Sequence, residues 1–341
     1  MSESSSHTTS ALQVGMVLGN WLPPEGIGRA SRAVEQAGFD ELWLAEDCFY
    51  AGGIAAASAA LTSTDHIPVG VGIFSCMVRH PALLAMELSA LARSHPGRFR
   101  PGIGLGLAEF LQHMDLLPRS PLSAVRTVVR DVRRLLAGER VTSDDGPFSL
   151  TDVELAHHCR ESRVPVLIGG MGPKMLRLGG ELGDGVVLSI LSHASYVSWA
   201  VEQIAVGAAA PSAVSAAKCS AVTVFALCSI DENRDVARSD AVELLSAFLI
   251  LLRNTEMIRQ LDISDAIDRW HREGPDAVAA HLADDLLDEL VIWGTPEDCA
   301  GQIRRLATAG ADAVALFPSQ LRTAQAIELG GRRLLPLLHT G

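Results

Sequence analysis

The sequence lacks several features that would assign it to a special class of protein. Aromatic residues make up only 5% of the chain, and its 6 cysteines never occur at C-x-x-C spacing, which argues against a disulfide framework and a zinc ribbon. The apolar stretch from Ala241 to Leu252 is shorter than the ~18 to 20 residues needed to cross a bilayer. Residues 1–10 are polar, without the basic and apolar regions of a secretory signal, and are expected to be a disordered tail. We therefore expect a cytoplasmic protein with no membrane span.

Several common site motifs are also absent. No stretch completes G-x-G-x-x-G, G-x-x-x-x-G-K-[ST], H-E-x-x-H or G-x-S-x-G, the patterns of dinucleotide, phosphate-loop, zinc and serine-hydrolase sites. His157, His158 and Cys159 are neighbours and cannot all converge on one ion from a regular element, so no metal site is expected. The net charge of −12, without basic runs interleaved with aromatics, argues against nucleic acid and anionic membranes as partners. A small-molecule substrate is the remaining expectation.

The chain does have a regular alternation of short β-branched or apolar runs with longer amphipathic stretches. This alternation is the pattern of repeated βα units and of a mainly parallel sheet. The candidate strands are Val14–Gly19, Glu41–Ala45, Pro68–Phe74, Phe99–Leu105, Val164–Gly169, Gly185–Ser189, Ala221–Cys228 and Ala311–Phe317. Because eight strands can close into a barrel, the predicted fold class is α/β, a (β/α)8 TIM barrel. A doubly wound open sheet is the alternative, but its usual glycine fingerprint is missing.

The stretches between the strands predict helices, several with Pro in the first turn or Gly after the last. They include Gly26–Ala37, Pro81–Ser94, Pro121–Leu136, Pro173–Leu182 and Pro296–Ala309. Two segments break the rhythm and predict insertions. Residues 140–153 alternate around Asp145 and Gly146 as in a small hairpin, and residues 230–290 are too long for one crossover helix, so two or three helices are expected there. No linker divides the chain, so residues 11–341 are predicted to form a single domain.

Candidate catalytic groups follow the second and third strands, because chemistry in a barrel lies at the carboxyl ends of its strands. Glu46 and Asp47 end the second strand, and alternation along a strand turns one of them toward the barrel mouth. Solvated acids capping the next helix are the alternative. The third strand contains Gly72, which is typical of a bulge or a close approach, and leads to His80. His80 is either a group for proton transfer or a histidine hydrogen-bonded to the preceding loop.

The fourth strand carries glycines at alternate positions. Gly102, Gly104 and Gly106 all point to one face, where missing side chains are expected to clear space for a flat group. Glu109 follows and could donate or accept a proton if its loop folds over the site. A glutamate capping a surface helix is the alternative interpretation.

The fifth strand ends in the most informative segment of the chain. It comprises Gly169, Gly170, Met171, Gly172, Pro173 and Lys174. The glycines free backbone N–H groups, and a helix begins near Pro173, so its positive dipole end and Lys174 together make an anion site suited to a phosphate. An ordinary glycine-rich turn is the alternative. The segment therefore indicates a phosphorylated cofactor.

Several segments of the chain resemble successive blocks of the luciferase-like monooxygenase superfamily. The blocks keep their order over residues 11–318, and they are residues 38–47, 79–82, 96–106, 172–185 and 294–297. Glu46-Asp47 and the Pro96-Gly97-Arg98-Phe99 sequence before the glycine row are similar to actinobacterial members that depend on coenzyme F420. These members include relatives of methylenetetrahydromethanopterin reductase.

The resemblance implies an oxidoreductase that moves a hydride between coenzyme F420 and a small organic substrate and that forms a homodimer. The deazaflavin ring would lie in the barrel mouth, beside a non-proline cis peptide bond that matches Gly72–Ile73. The implied cofactor-binding residues are Glu46, Gly72, Ile73, Ser75, Gly104, Gly106, Gly169, Gly170, Met171, Gly172, Pro173 and Lys174, and the candidate catalytic residues are Asp47, His80 and Glu109.

The chain also departs from the family pattern. Asp47 stands where relatives often carry a catalytic His, and Val17 and Leu18 stand where the pterin reductases carry glutamates, so a pterin substrate is not expected. A reduced-flavin monooxygenase that uses FMN is one alternative. A barrel that binds a cofactor without turnover is the other; the missing His favours it, and the phosphate loop and glycine row count against it.

Overall fold

A computed structural model describes residues 12–159, 163–213 and 221–339, and the predicted tail at residues 1–10 lies outside these ranges. The strands are β1 (Gln13–Leu18), β2 (Glu41–Leu44), β3 (Val69–Ser75), β4 (Phe99–Gly104), β5 (Val141–Ser143), β6 (Leu150–Val153), β7 (Leu167–Gly169), β8 (Gly185–Leu188), β9 (Val222–Ile230), β10 (Ile292–Gly294) and β11 (Ala313–Pro318).

Eight of the described strands close into a parallel barrel. Their order is β9-β11-β1-β2-β3-β4-β7-β8, and pairing of β8 with β9 completes the ring. The predicted (β/α)8 barrel is therefore confirmed. The short β10 pairs with the end of β9, with Ile292 opposite Cys228. The antiparallel pair of β5 and β6 is the predicted hairpin.

The described helices surround the barrel and cover one end. They are α1 (Ile27–Gln36), α2 (Gly53–Ser63), α3 (Pro81–Ser94), α4 (Ala108–His113), α5 (Pro121–Leu136), α6 (Pro173–Leu182), α7 (Ala194–Ala208), α8 (Arg234–Leu251), α9 (Glu256–Gln260), α10 (Ser264–Glu273), α11 (Pro275–His281), α12 (Asp284–Leu290), α13 (Pro296–Thr308), α14 (Thr323–Leu329) and α15 (Leu335–His339). Within the described ranges, no helix has the length and apolar character to span a bilayer.

The insertion after β9 contains more helices than the sequence predicted. Residues 230–290, all of them described, hold the five helices α8 to α12 instead of two or three. Part of the physical reason is backbone conformation: Asp262 at φ 56° and Gly274 at φ 113° adopt the left-handed region, which interrupts a helix. The prediction of an insertion was right, and the number of its helices was wrong.

Alternation along the strands divides the core into two clusters. Val14, Met16 and Leu18 of β1 pack outward beneath the helices. Val17 points inward and joins a second cluster that fills the barrel and continues into the insertion through residues such as Leu245. Within the barrel, Trp43 meets Phe225 edge-on at 5.3 Å between ring centroids. The insertion therefore shares its core with the barrel interior and covers one end of it.

Candidate functional site

The carboxyl ends of β2, β3 and β4 surround a cleft of about 150 Å³. Residues that line it include Glu46, Asp47, Ser75, Arg79, Gly106 and Leu107. Ser75 Oγ donates a 2.6 Å hydrogen bond to the Leu105 carbonyl, which ties the end of β3 to the end of β4. The cleft is therefore formed at the barrel end where sequence reasoning placed the chemistry.

The two acids after β2 have different partners. Asp47 Oδ2 accepts a 2.7 Å hydrogen bond from Asn20 Nδ2, which follows β1. Glu46 Oε2 accepts a 2.6 Å hydrogen bond from the Gly53 N–H at the start of α2. A carboxylate at a helix N-terminus is stabilised by the helix dipole. Glu46 is thus bound to the helix layer, and Asp47 is bound to the neighbouring strand end.

Arg79 holds Glu46 in a bidentate ion pair. Both guanidinium Nη atoms lie 2.7 Å from the two carboxylate oxygens, and Arg79 Nε lies 3.4 Å from Glu87 Oε2. The guanidinium also stacks over the Phe74 ring at 5.5 Å. Hydrogen bonding to Glu46 raises the pKa of Arg79 above its ordinary value. Planar double hydrogen bonds of this kind fix orientation as well as charge.

Asp47 is the acid in the cleft whose protonation is shifted. Burial raises the pKa of its carboxyl above the usual range; the hydrogen bond from Asn20 opposes this, and the nearby negative charge of Glu46 adds to it. A carboxyl with a raised pKa keeps its proton to higher pH. Asp47 is therefore suited to hold and donate a proton in this cleft.

The structure does not bring His80 or Glu109 into the cleft lining. His80 caps α3, where its Nδ1 accepts from the Ala82 N–H at 3.2 Å, and its Nε2 lies 3.3 Å from the Ser149 carbonyl. Glu109 is exposed in the first turn of α4. Both nitrogens of His80 are thus engaged in hydrogen bonds. The alternative expected a hydrogen-bonded histidine, but its partners are the helix that it caps and the hairpin, and not the preceding loop. Of the three predicted catalytic residues, only Asp47 lines the cleft.

The alternate glycines make room for a side chain of the protein itself. A Cβ added at Gly102 or Gly169 would lie 2.9 or 2.7 Å from Ile73 Cγ2, and one at Gly104 would lie 2.9 Å from the Gly169 carbonyl. The space expected to hold a flat group is therefore filled by Ile73, which is half-buried. Gly102, Gly104 and Gly169 are called the glycine seat below.

The peptide bond between Gly72 and Ile73 is cis, as the resemblance implied. A Cβ at Gly72 would lie 2.6 Å from the Phe225 ring, so that position is closely packed inside the barrel. Gly106 has φ 82°, a backbone conformation that favours glycine. This glycine is therefore required by the backbone and does not belong to the seat.

The predicted anion segment forms the start of α6. Gly172 is its N-cap, and a Cβ built there would meet no atom within 4 Å. Lys174 is exposed in the first turn. The hydroxyl of buried Tyr196, on α7, donates a 2.7 Å hydrogen bond to the Met171 carbonyl and fixes the turn. Open space, a free helix N-terminus and a lysine are thus together at this point.

Sequence reasoning missed several residues of the mouth. Asn20 and Trp21 directly follow β1, and the rule that barrel sites lie after strands could have found them. Tyr196 gave no local signal, because it comes from a distant part of the chain, and the sequence did not indicate that Arg79 would pair with Glu46 and Glu87. Among the described residues, no group of three or more His, Cys, Asp and Glu side chains is arranged to hold a metal ion.

Comparison with known proteins identifies relatives of similar length. The family described as luciferase-like monooxygenase matches residues 4–313. The chain is 28% identical over 318 residues to 5,10-methylenetetrahydromethanopterin reductase of Methanolobus tindarius, covering 91% of this chain and 95% of the reductase.

Two solved structures share the fold. The coenzyme F420-dependent tetrahydromethanopterin reductase from Methanopyrus kandleri superposes with a TM-score of 0.81 at 22% identity, covering 96% of this chain and 100% of the reductase. An F420-dependent secondary alcohol dehydrogenase in complex with an F420–acetone adduct gives 0.79 at 20% identity, covering 97% and 100%. At these identities the likeness extends to the fold alone.

Proposed function

Because the chain belongs to the luciferase-like monooxygenase family, we propose that this oxidoreductase transfers a hydride between coenzyme F420 and a small organic substrate. The observation that carries the proposal is the position of Ile73. Its half-buried side chain rests on the glycine seat, at the ends of β3, β4 and β7, and presents an apolar surface at the mouth. A flat ring can lie on such a surface, and the deazaflavin supplies the hydride chemistry when it is bound.

Coenzyme F420 is favoured because similar proteins are described as depending on it. One is the Methanopyrus reductase and another is the secondary alcohol dehydrogenase. The residues present suit a phosphorylated cofactor: Gly172 leaves open space at the N-terminus of α6, and Lys174 adds a positive charge. These two residues would hold the phosphate.

Asp47 is the group we assign to proton transfer. It lines the cleft, its pKa is raised by burial, and Asn20 fixes one carboxyl oxygen. In the direction of reduction, Asp47 donates a proton to the substrate oxygen; in the direction of oxidation, it accepts that proton. Glu46 and Arg79 hold the surrounding loop ends in place through their ion pair.

A reduced-flavin monooxygenase is the second candidate. The observation in its favour is the family description itself, which names monooxygenases. The same apolar surface and anion site would suit FMN, so the two candidates differ in the cofactor that the barrel selects.

The test is a fluorescence titration with oxidised F420 of the wild type and of two leucine variants. Gly172→Leu places a side chain over the α6 N-terminus, and we expect at least a tenfold loss of affinity. Gly301→Leu is the matched control, because a Cβ at that exposed glycine also meets no atom within 4 Å. Unchanged F420 affinity in Gly172→Leu, or an equal loss in Gly301→Leu, would contradict the assignment of the phosphate site.

A further inference from the structure

Three aromatic side chains form a wall at the barrel mouth, outside the set of residues that lines the cleft. Trp21 and Phe317 stack in parallel, with ring centroids 4.9 Å apart and an interplanar angle of 5°. Phe248 packs against Phe317, with ring centroids 5.9 Å apart. We call Trp21, Phe317 and Phe248 the aromatic wall. The flat stacked pair, with the Phe248 ring tilted at 45° to Phe317, gives the mouth one apolar side.

The wall lies inside the mouth because of where each residue is attached. Phe317 points inward near the end of β11, and Trp21 folds over the end of β1. A Cβ at Gly19 would lie 2.4 Å from the Trp21 ring and 2.8 Å from the Phe317 ring, so glycine allows both rings to lie against the strand. Phe248 reaches the wall from α8 of the insertion. Strand ends and insertion therefore meet at this surface.

Trp21 also offers an unused hydrogen-bond donor. Its Nε1 is buried, and no acceptor in the described part of the chain lies within hydrogen-bond distance. A buried donor without an acceptor is costly, and an acceptor on a bound molecule would satisfy it. Carbonyl and hydroxyl oxygens are acceptors, whereas an ammonium group is a donor only. The wall thus suits a molecule that carries an acceptor oxygen.

The charges around the mouth disfavour an anionic molecule. The arginine after β3, Arg79, is paired with Glu46, and the arginine after β11, Arg322, lies 3.2 Å from Asp231. Asp47 and Asp240 border the same region, and their described partners are the neutral side chains of Asn20 and Ser319. A substrate carboxylate or phosphate would therefore find both of these arginines already paired with an acid. It would also approach the Asp240 carboxyl and, whenever Asp47 has released its proton, a second carboxylate.

We propose that the substrate is an uncharged carbonyl compound with a flat apolar body, or the alcohol to which it is reduced. This inference rests on the proposed function. The body lies on the aromatic wall, and the oxygen faces Asp47. In reduction, the carbonyl carbon gains the hydride that reduced deazaflavin supplies, and the electron pair of the C=O π bond binds the proton that Asp47 releases. The products are the alcohol, the Asp47 carboxylate and oxidised deazaflavin.

The test compares three ligands that differ in charge and little in shape. They are 4-methylacetophenone, the anion 4-acetylbenzoate and the cation 4-acetyl-N,N,N-trimethylanilinium, titrated by calorimetry at neutral pH with and without oxidised F420. We expect the neutral ketone to bind at least tenfold more tightly than either ion. Equal or tighter binding of an ion, or no saturable binding of the ketone, overturns the proposal.

Variants locate the binding on the wall. Trp21→Leu and, independently, Phe248→Leu should weaken ketone binding about tenfold. Phe148→Leu is the matched control, since Phe148 is also half-buried but lies between β5 and β6, outside the barrel. Circular dichroism checks that each variant folds. Unchanged ketone affinity in both wall variants would contradict the inference.

The F420 titration separates this inference from the proposed function. If F420 binds and the three ligands do not differ in affinity, the substrate class is wrong and the cofactor assignment stands. If F420 does not bind while the neutral ketone still binds and depends on Trp21, the proposed function fails and the wall remains a site for neutral compounds.

Discussion

Asn20 donates a 2.7 Å hydrogen bond from Nδ2 to Oδ2 of Asp47 and so joins the ends of β1 and β2 at the barrel mouth. The two residues are 27 positions apart, and the parallel pairing of β1 with β2 places them side by side. The other carboxyl oxygen, Oδ1, accepts no hydrogen bond from Asn20. A half-buried acid that is held at one oxygen can present the other to a substrate.

The raised pKa of Asp47 predicts how stability depends on pH. Below the ordinary Asp pKa of about 3.9, the carboxyl is protonated in both the folded and the unfolded chain. As pH rises above it, the unfolded chain releases the proton first, so the wild type loses stability until the raised folded pKa has been passed. Asp47→Asn cannot ionise and should escape this loss.

Urea unfolding of wild type and Asp47→Asn at a series of pH values measures the effect. The stability of the wild type relative to the variant should fall from pH 4 upward and then level off. Adding Asn20→Ala should enlarge the fall, because its hydrogen bond lowers the pKa of Asp47. A difference that is independent of pH would show that the folded pKa is not raised.

The ion pair between Glu46 and Arg79 should be strongly coupled. The Glu46 side chain is 9% exposed and that of Arg79 19% exposed. Arg79→Met leaves a buried carboxylate without its partner, which costs about 3–5 kcal/mol of unfolding free energy. Removing both charges in Glu46→Gln with Arg79→Met should cost less than the sum of the two single changes.

A double-mutant cycle by urea denaturation measures this coupling. Arg332→Met is the control, because the side chains of Arg332 and its partner Glu328 are 75% and 66% exposed, and such a pair contributes little. Additive effects of the two buried substitutions would mean that the bidentate pair does not exist in solution.

The seating of Ile73 predicts a rescue. All three nearest contacts of a Cβ at Gly169 are atoms of Ile73, so Gly169→Ala should destabilise the fold by about 1–3 kcal/mol through overpacking. Combining it with Ile73→Ala removes the clash, and the double variant should be more stable than the sum of the single effects. At Gly104 the nearest contact is the Gly169 carbonyl, so Ile73→Ala should rescue Gly104→Ala less. Thermal unfolding of the five variants checks both expectations, and equal rescue at the two glycines would contradict them.

Tyr196 should act on the anion site through the turn that it fixes. Tyr196→Phe removes the hydrogen bond to the Met171 carbonyl and should lower the unfolding free energy by about 0.5–1.5 kcal/mol. It should also weaken binding of F420 more than binding of the phosphate-free deazaflavin chromophore. An equal loss for the two ligands would mean that the hydroxyl supports the fold without positioning the phosphate turn.

Local patterns predicted much of the fold. Pro81–Ser94, Pro121–Leu136 and Pro173–Leu182 are helices with the expected bounds, because Pro near the first turn marks where each begins. The alternating pattern around Asp145 and Gly146 also predicted the hairpin. The sequence did not predict the number of helices in the insertion, since their ends depend on packing against the barrel.

The site was only partly predictable because its contacts are long-range. Position after a strand indicated Asp47 and the Gly169–Lys174 turn, but nothing in the sequence indicated that Ile73 would occupy the glycine seat or that Arg79 would bind Glu46. His80 precedes a helix-starting proline, and the structure uses it as the cap of that helix. The homodimer stays a prediction.

The most direct test of the central claim is a parallel titration of the purified wild type with oxidised F420 and with FMN, followed by fluorescence. We predict saturable F420 binding in the micromolar range and FMN binding that is at least tenfold weaker. Tighter binding of FMN would contradict the claim and favour the monooxygenase. If the protein bound neither cofactor, the proposed hydride transfer would be contradicted as well.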